Sequence, residues 1–328
     1  GFVMMQVVNV AGEKMPAVGL GLWKLGHEET AESVYNAIKI GYRHIDSAAD
    51  YGNEHKVGEG IARAIDDGLC GREDLWITSK LWNTFHRREH VTPACKKSLF
   101  DLGLDYLDLY LIHFPIALKY VDFSVHYPPE WLHPDGESLP IMKTDAVPLS
   151  ETWGAMESLV ELKLVRHIGV CNYSSALLHD LMSYAKTPPA VLQIESHPYL
   201  TQESLIRTAR SYGMSVTAFS PLGSLSYEAL EMAKAEDSVL MESVVINAAQ
   251  RAGVTPAQVI LRWGIQRGVA VIPKTSKPER LRENFSIAGF SLDEGEMNAI
   301  SALNKNRRFN DPGIFCEAAF GRFHSIYD

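Results

Sequence analysis

The chain of 328 residues has few of the features that would indicate a disulfide scaffold or a structural zinc site. Its four cysteines, Cys70, Cys95, Cys171 and Cys316, lie far apart, and no two of them form a CxxC motif. This spacing gives neither a zinc pattern nor a disulfide framework. We therefore expect reduced thiols and a cytoplasmic protein.

The chain also lacks a basic stripe and a long hydrophobic run. Its net charge of -9 comes from scattered acidic residues, which argues against nucleic acid or an anionic membrane as a partner. No stretch of 18 residues is uninterruptedly apolar, and the start, GFVMMQVV, has no charged signal-peptide region. With 46% hydrophobic and 22% charged residues, the composition is typical of a folded globular protein.

One pattern is similar to a metal site. HRREH at 86–90 fits the HxxEH spacing, in which two histidines one helical turn apart bind zinc. The stretch is polar and rich in arginine, and it directly precedes a predicted helix. We therefore predict no metal site.

Strand-like apolar runs alternate with amphipathic helical stretches along most of the chain. Eight strand-then-helix units with short turns predict a parallel sheet closed as a (β/α)8 TIM barrel, and a doubly wound open sheet is the alternative. We expect one domain, 1–328, that begins with a β-hairpin at 7–17. The predicted strands are 18–22, 42–46, 75–81, 107–113, 167–170, 190–195, 215–219 and 269–273. The predicted helices are 28–40, 54–68, 91–102, 150–163, 175–186, 202–212, 239–266 in two pieces, 277–287 and 293–303.

Two long segments interrupt this alternation, at 114–149 and 220–238, and residues 288–328 follow the last unit. The first two come directly after predicted strand ends. We therefore expect them to be long loops at the C-terminal face of the barrel, where they can shape the mouth of a pocket.

Three successive strand ends carry ionisable side chains. Asp46 and Tyr51 lie in YRHIDSAADYGNE, Lys80 in ITSKLW and His113 in YLIHFP. Each has a structural explanation when taken alone: Asp46 could cap a helix, Lys80 could be a solvated charge, and His113 could be a core histidine. The carboxyl ends of barrel strands meet at one face, so we expect these side chains to converge.

These four residues suit acid catalysis by a phenol. A free tyrosine, with a pKa of about 10, is a poor donor at neutral pH, and the Lys80 cation is expected to lower that pKa. Asp46 would hold Lys80 charged, and His113 would hydrogen-bond a substrate oxygen. Such a group protonates an alkoxide as it forms from a carbonyl. This reaction needs hydride, which no side chain supplies, so a nicotinamide cofactor is implied.

The glycines do not show where this cofactor binds. GLGLWK at 19–24 lacks the third glycine of a Rossmann fingerprint. IPKTSKPERLREN at 272–284 is a better anion site, because Lys274, Thr275 and Ser276 lie between a strand end and a helix start, where free N–H groups favour phosphate. Arg280 adds a planar fork suited to a phosphomonoester. A solvated basic helix start is the alternative.

Eight ordered motifs over nearly the whole chain resemble those of the aldo-keto reductases. They are GLGLWK, YRHIDSAADYGNE, ITSKLW, LDLYLIHFP, IGVCNYS, QIESHPYL, FSPLGS and IPKTSKPERLREN. The resemblance implies an NAD(P)H-dependent oxidoreductase whose catalytic tetrad is Asp46, Tyr51, Lys80 and His113. It also implies a cofactor that lies extended across the barrel mouth, without a Rossmann fold.

The resemblance assigns further residues to the cofactor. Asn172 and Gln193 would hold the nicotinamide carboxamide beside Cys171, which stands where Ser is usual, and Phe219, where Tyr is common, would stack on the ring. Within 220–224, Ser220, Leu222 and Ser224 would pass over the pyrophosphate. The 2′-phosphate and adenine would be contacted by Lys274, Thr275, Ser276, Arg280, Glu283 and Asn284. Because Lys274 and Arg280 are both present, we expect NADPH to be preferred, with NADH as a second cofactor to test.

Within the family, HFPIALKY, YPPEW at 127–131 and RRFNDP at 307–312 are most similar to xylose reductases. This implies reduction of a xylose-like open-chain aldose to its alditol, and a homodimer as a candidate assembly. ILRWGIQRG and IPKTSKPERL are equally similar to plant sugar-phosphate reductases, so an aldose 6-phosphate is an alternative substrate. A regulatory subunit with little turnover is a second alternative, which the intact tetrad disfavours. The residues expected to contact substrate are Trp23, Asp50, Trp82, His113, Phe114 and Asn310.

Overall fold

The computed structural model describes residues 6–128, 130–131, 142–228, 230 and 232–328. Parts of both predicted long loops therefore lie outside the described residues, as does Pro129 of the YPPEW motif.

The chain begins with the predicted hairpin. Strands β1 (Val7–Val10) and β2 (Glu13–Pro16) pair antiparallel. The turn residues Ala11 and Gly12 both have positive φ, 49° and 85°, as a type I′ turn requires. Val10 and Met15 are buried against residues of the barrel interior, so the hairpin covers one end of the barrel.

Eight parallel strands, each paired with its neighbours in chain order, form the barrel. The first and last are joined by a parallel bridge between Val18 and Val271, and the N–H of Gly21 donates to the carbonyl of Pro273 at 3.1 Å. These bonds close the sheet, so the (β/α)8 barrel is confirmed and the open sheet is wrong. The strands are β3 (Leu20–Gly21), β4 (His44–Asp46), β5 (Trp76–Leu81), β6 (Leu107–Ile112), β7 (Val165–Cys171), β8 (Val191–Glu195), β9 (Ser215–Phe219) and β10 (Ala270–Val271).

Helices surround the sheet and follow the predicted order. The predicted helix over 239–266 divides because Gly253 ends its first piece at φ 68° and Thr255 caps the second, with its side chain accepting from the N–H of Gln258. The helices of the described residues are α1 (His27–Ile40), α2 (Glu54–Asp66), α3 (Arg88–Leu102), α4 (Leu149–Glu161), α5 (Ser175–Tyr184), α6 (Glu203–Ser211), α7 (Leu225–Glu228), α8 (Ser243–Ala252), α9 (Pro256–Gln266), α10 (Pro278–Phe285), α11 (Glu294–Ser301), α12 (Pro312–Phe315) and α13 (Glu317–Phe320).

Two strands are each three residues shorter than predicted. The stretches 18–22 and 269–273 keep only two ladder residues each, β3 and β10, because the seam between them is a single bridge with a few hydrogen bonds. The main core lies between the sheet and the helices and includes Tyr42, Trp153 and Leu281. Within the part of the chain that the structure describes, no helix is both long enough and apolar enough to span a bilayer.

Candidate active site

A cleft opens at the carboxyl ends of the barrel strands, as predicted for the functional face. Its empty volume is about 970 Å³, including the part open to solvent. Most of its walls come from residues at or just beyond strand ends. They are Gly21, Leu22, Trp23, Asp46, Asp50, Tyr51, Trp82, His113, Phe114, Trp131, Cys171, Asn172, Gln193, Phe219, Ser220, Pro221, Leu222, Leu225, Ile272, Pro273, Lys274, Asn310 and Phe315.

Lys80, beneath this cleft, connects Asp46 to Tyr51. Its ammonium group forms an ion pair with the Asp46 carboxylate and donates to the Tyr51 hydroxyl at 3.1 Å and to the Ser47 carbonyl at 3.0 Å. Lys80 and Asp46 are each only 1% exposed. Burial is the largest single influence and favours the neutral amine, but the Asp46 carboxylate and the other neighbouring groups together outweigh it and raise the pKa of Lys80. Lys80 therefore carries a positive charge directly beside the phenol.

The Tyr51 pKa differs from the sequence-based expectation. Burial raises the pKa of Tyr51 to about 12, and the Lys80 cation opposes this shift without cancelling it. The prediction of a lowered pKa was wrong, because removing the phenol from water disfavours the phenolate more than one buried ammonium group favours it. Tyr51 therefore keeps its proton at neutral pH, as a proton donor must.

His113 lies beside Tyr51 in the cleft wall. Its ring meets the Tyr51 ring edge-on, with centroids 5.8 Å apart. Burial, assisted by the Lys80 charge, holds the pKa of His113 well below its usual value, so the imidazole is neutral. Its buried Nδ1 atom has no hydrogen-bond partner among the described residues. A neutral imidazole beside the protonated phenol can bind an oxygen atom of a ligand.

The residues predicted to bind substrate meet in the same cleft. Asp50 and Asn310 both line the cleft, although they are far apart in the sequence. The Oδ1 atom of each is buried and has no partner among the described residues. Burial raises the pKa of Asp50 to about 7. Buried polar atoms are normally paired, so these two oxygens mark places where a ligand can supply hydroxyl donors. The predicted aromatic residues of this wall are Trp23, Trp82 and Phe114.

Sequence reasoning missed several residues of the wall. Trp131 packs edge-on against Trp82, with ring centroids 5.0 Å apart, and Phe315 lies 6.4 Å from Trp131. Trp131 belongs to the YPPEW motif, from which no contact of Trp131 with substrate was predicted. No sequence motif indicated that Phe315 lies at the cleft, because its position depends on how residues 302–328 fold back over the barrel. Hereafter we call residues 302–328 the closing segment.

Glu195 at the end of β8 was also missed, although it lies in QIESHPYL. Its buried carboxylate accepts hydrogen bonds from the backbone N–H groups of Phe309 at 2.9 Å and Asn310 at 2.8 Å. His197 Nε2 lies 2.8 Å from the same carboxylate. Glu195 therefore fixes the part of the closing segment that carries Asn310 into the cleft.

The residues predicted to hold nicotinamide form one wall of the cleft. Asn172 donates from Nδ2 to the His113 carbonyl at 2.8 Å, and Gln193 donates from Nε2 to the Asp46 carboxylate at 2.8 Å. Cys171 lies between them in the wall, and Phe219 is half-buried there. Two amides and a partly exposed aromatic face fit a planar ring with a carboxamide group.

The residues predicted to hold the rest of the cofactor are only partly in the cleft. Ser220, Leu222 and Lys274 line it, whereas Ser224 is buried behind it. Arg280 is exposed on α10 and pairs with Glu283 at 3.2 Å. Thr275 and Ser276 are half-buried just before α10, and Asn284 is buried within it. The roles of Ser224, Thr275, Ser276, Arg280, Glu283 and Asn284 stay predictions.

Within the described ranges, no three His, Cys, Asp or Glu side chains form a group that could hold a metal ion. His90 of the HRREH stretch instead stacks on Tyr120, with ring centroids 3.5 Å apart.

The fold and the site define a (β/α)8 barrel with a hydrogen-bonded Asp–Lys–Tyr group and a neutral histidine at its carboxyl end. The Aldo/keto reductase family model matches residues 17–305, and the chain belongs to that family. The family and the enzyme class predicted from the eight motifs are thereby confirmed.

Curated relatives are similar over most of the chain. A probable NAD(P)H-dependent D-xylose reductase of Aspergillus clavatus is 53% identical over 92% of this chain and 91% of its own length. The NAD(P)H-dependent D-xylose reductase of Aspergillus niger is 51% identical over 92% of this chain and 94% of its own.

Two solved structures have the same fold. A Bombyx mori aldo-keto reductase in complex with NADP superposes with a TM-score of 0.84 at 35% identity, over 97% of this chain and 98% of that one. The aldose reductase of Schistosoma japonicum superposes with a TM-score of 0.82 at 37% identity, over 93% of each chain.

Proposed function

We propose that this protein is an NADPH-dependent aldose reductase that converts a xylose-like open-chain sugar aldehyde to its alditol. The observation that carries the proposal is the partly buried Tyr51, which keeps its proton and is hydrogen-bonded to the Lys80 ammonium group. The same cleft presents oxygens of Asp50 and Asn310 that have no partner among the described residues. The xylose reductase relatives, named NAD(P)H-dependent, support the same substrate class and cofactor.

The proton step follows from the charges around Tyr51. When bound, reduced nicotinamide supplies hydride to the carbonyl carbon, and negative charge develops on the carbonyl oxygen. Tyr51 donates its proton to that oxygen, and Lys80 stabilises the phenolate that remains. Asp46 keeps Lys80 charged and in place, and neutral His113 holds the carbonyl oxygen within reach of Tyr51.

The substrate assignment comes from the unpaired oxygens of the cleft. Asp50 and Asn310 each present a buried acceptor, and a polyol chain carries the hydroxyl donors that satisfy such acceptors. Among the described residues that line the cleft, Lys274 is the only lysine or arginine, and we assign it to the cofactor. The substrate wall therefore suits an uncharged sugar better than a sugar phosphate.

The cofactor assignment rests on Lys274 and Arg280. Burial lowers the pKa of Lys274, and no acidic side chain within the described residues lies in ion-pair range of its ammonium group. A phosphate near Lys274 and the exposed Arg280 would be bound by two cations, which supports NADPH over NADH. NADP in the Bombyx mori structure agrees with this assignment.

The experiment is to follow the loss of NADPH absorbance with D-xylose, glyceraldehyde and a hexose 6-phosphate. We expect a higher kcat/KM for xylose than for the sugar phosphate. The opposite order would contradict the substrate assignment. NADPH binding without turnover of any of them would instead indicate a regulatory subunit.

We further propose one domain over 1–328, because the hairpin covers one end of the barrel and the closing segment contacts the other. Cytoplasmic location and a homodimer stay predictions, and light scattering on the purified protein tests the second.

A further inference from the structure

The closing segment reaches the wall that we assign to nicotinamide. The hydroxyl of Tyr327 donates to the side-chain oxygen Oδ1 of Asn172 at 2.6 Å. The guanidinium group of Arg308 lies over the Tyr327 ring, 3.6 Å from its centroid. Tyr327 lies outside the motifs from which Asn172 was assigned to the site. It nevertheless contacts Asn172 from 155 positions farther along the chain.

With this bond, the Asn172 amide is held at both ends. Its Nδ2 atom donates to the His113 carbonyl at 2.8 Å, and the carbonyl can only accept. The amide therefore cannot turn over without facing its oxygen toward another oxygen. Tyr327 holds the opposite end, and Asn172 is only 5% exposed. One N–H and one lone pair of the amide remain free for a ligand.

A primary carboxamide offers the matching pair, an N–H donor and a carbonyl acceptor. We propose that Tyr327 is a positioning residue that aligns the Asn172 amide for two hydrogen bonds to the carboxamide of the cofactor. This inference rests on the proposed function, because it assumes a nicotinamide ligand. Arg308 contributes by keeping the Tyr327 ring in place through a cation–π contact.

The test separates the two halves of the cofactor. Tyr327→Phe keeps the ring under Arg308 and removes only the hydroxyl. Dissociation constants are measured by calorimetry for NADPH and for adenosine 2′,5′-bisphosphate, which has the adenine half but no nicotinamide. We expect the variant to bind NADPH about 5-fold more weakly and the bisphosphate within about twofold of wild type, as the loss of one neutral hydrogen bond predicts.

Tyr35→Phe is the matched control. The Tyr35 hydroxyl donates to the Asp67 carboxylate at 2.6 Å, and this hydrogen bond is exposed to solvent on the outside of the barrel. Tyr35 does not line the cleft. Removing the Tyr35 hydroxyl should change the dissociation constant of neither NADPH nor the bisphosphate. In Tyr327→Phe we also expect a lower kcat with an almost unchanged KM for xylose, because the ring that delivers hydride is less well aligned.

Each other outcome is decisive. Equal weakening of both ligands would assign Tyr327 to the fold alone and overturn the inference. Unchanged NADPH binding in the variant would also overturn it, while leaving the proposed function intact. Failure of the wild-type protein to bind NADPH, with the bisphosphate still bound, would overturn the nicotinamide assignment and the inference with it.

Discussion

The two ends of the barrel differ in their buried polar groups. At the amino end, Asp108 is 1% exposed, and its carboxylate accepts from Arg72 and from the Ile77 N–H, both at 2.8 Å, and from Arg166 at 2.9 Å. Arg166 also forms an ion pair with Glu13 of the hairpin. This network joins the hairpin to the sheet and leaves no oxygen of Asp108 unpaired.

At the carboxyl end, Asp46 and Lys80 pair with each other, but several buried polar atoms of the cleft have no partner among the described residues. His113 Nδ1, Asp50 Oδ1 and Asn310 Oδ1 are all without one among the described residues. Leaving such groups unpaired costs stability, and these three residues line the cleft, where a ligand could pair them. The comparison indicates that the amino end serves stability and the carboxyl end serves binding and chemistry. Substitutions at the two ends should therefore affect different measurements.

The largest effect should come from Tyr51→Phe. Removing the proposed proton donor while keeping the ring should lower kcat by about 1000-fold, within the range of general acid catalysis. NADPH binding and the midpoint of thermal unfolding should stay close to wild type, because the lost hydroxyl contacts only Lys80 among the described residues. Steady-state kinetics and calorimetry check this.

A Tyr51→Phe variant that turns over like wild type would show that another group donates the proton. A variant that is strongly destabilised would show that Tyr51 also supports the fold, which would break the division of roles between the two ends.

Much of this division could be predicted from the sequence. Strand order follows from the alternation of strands and helices, and the convergence of Asp46, Lys80 and His113 follows from their places at strand ends. The direction of the Tyr51 pKa shift did not follow, because it depends on how completely the fold excludes water around the phenol. The sequence shows which charged residues are present, but it does not show how deeply the fold buries them.

Residues of the closing segment were the least predictable. Asn310 was predicted from a motif similarity, whereas neither Phe315 nor Tyr327 was predicted to lie near the site. Their contacts join residues far apart in sequence and arise from loop packing rather than from a periodic pattern. Glu195, which fixes Asn310, shows the same limit, since its partners are backbone N–H groups that no side-chain motif reveals.

The next effect tests the amino end. Asp108→Ala leaves Arg72 and Arg166 without their shared carboxylate and should lower the free energy of unfolding by about 3 kcal/mol, the usual cost of breaking a buried charge pair. The kcat of the folded protein should not change. Urea unfolding and steady-state kinetics measure the two quantities. Lost turnover at unchanged stability would contradict the comparison.

A smaller effect is expected at the rim of the carboxyl end. Arg280→Ala removes an exposed guanidinium whose partner among the described residues is Glu283. NADPH should bind about 30-fold more weakly, which is the loss of a charged hydrogen bond, whereas NADH should change little because it lacks the 2′-phosphate. Equal losses for both cofactors would contradict the assignment. Arg282→Ala, an exposed neighbour on α10, is the control.

The smallest effect is a pH dependence that belongs to Asp50. Burial, followed by the nearby Glu130 carboxylate, raises the pKa of Asp50 to about 7, so the group is protonated below that pH and ionised above it. An ionised carboxylate accepts hydroxyl hydrogen bonds more strongly than a neutral acid, so the KM for xylose should fall about 5-fold between pH 6 and 8. The KM for propanal, which has no hydroxyl groups, should stay flat. Asp50→Asn should remove the trend for xylose, and a trend that survives in this variant would assign it to a different group, such as the buried Glu54, whose pKa burial also raises to about 7.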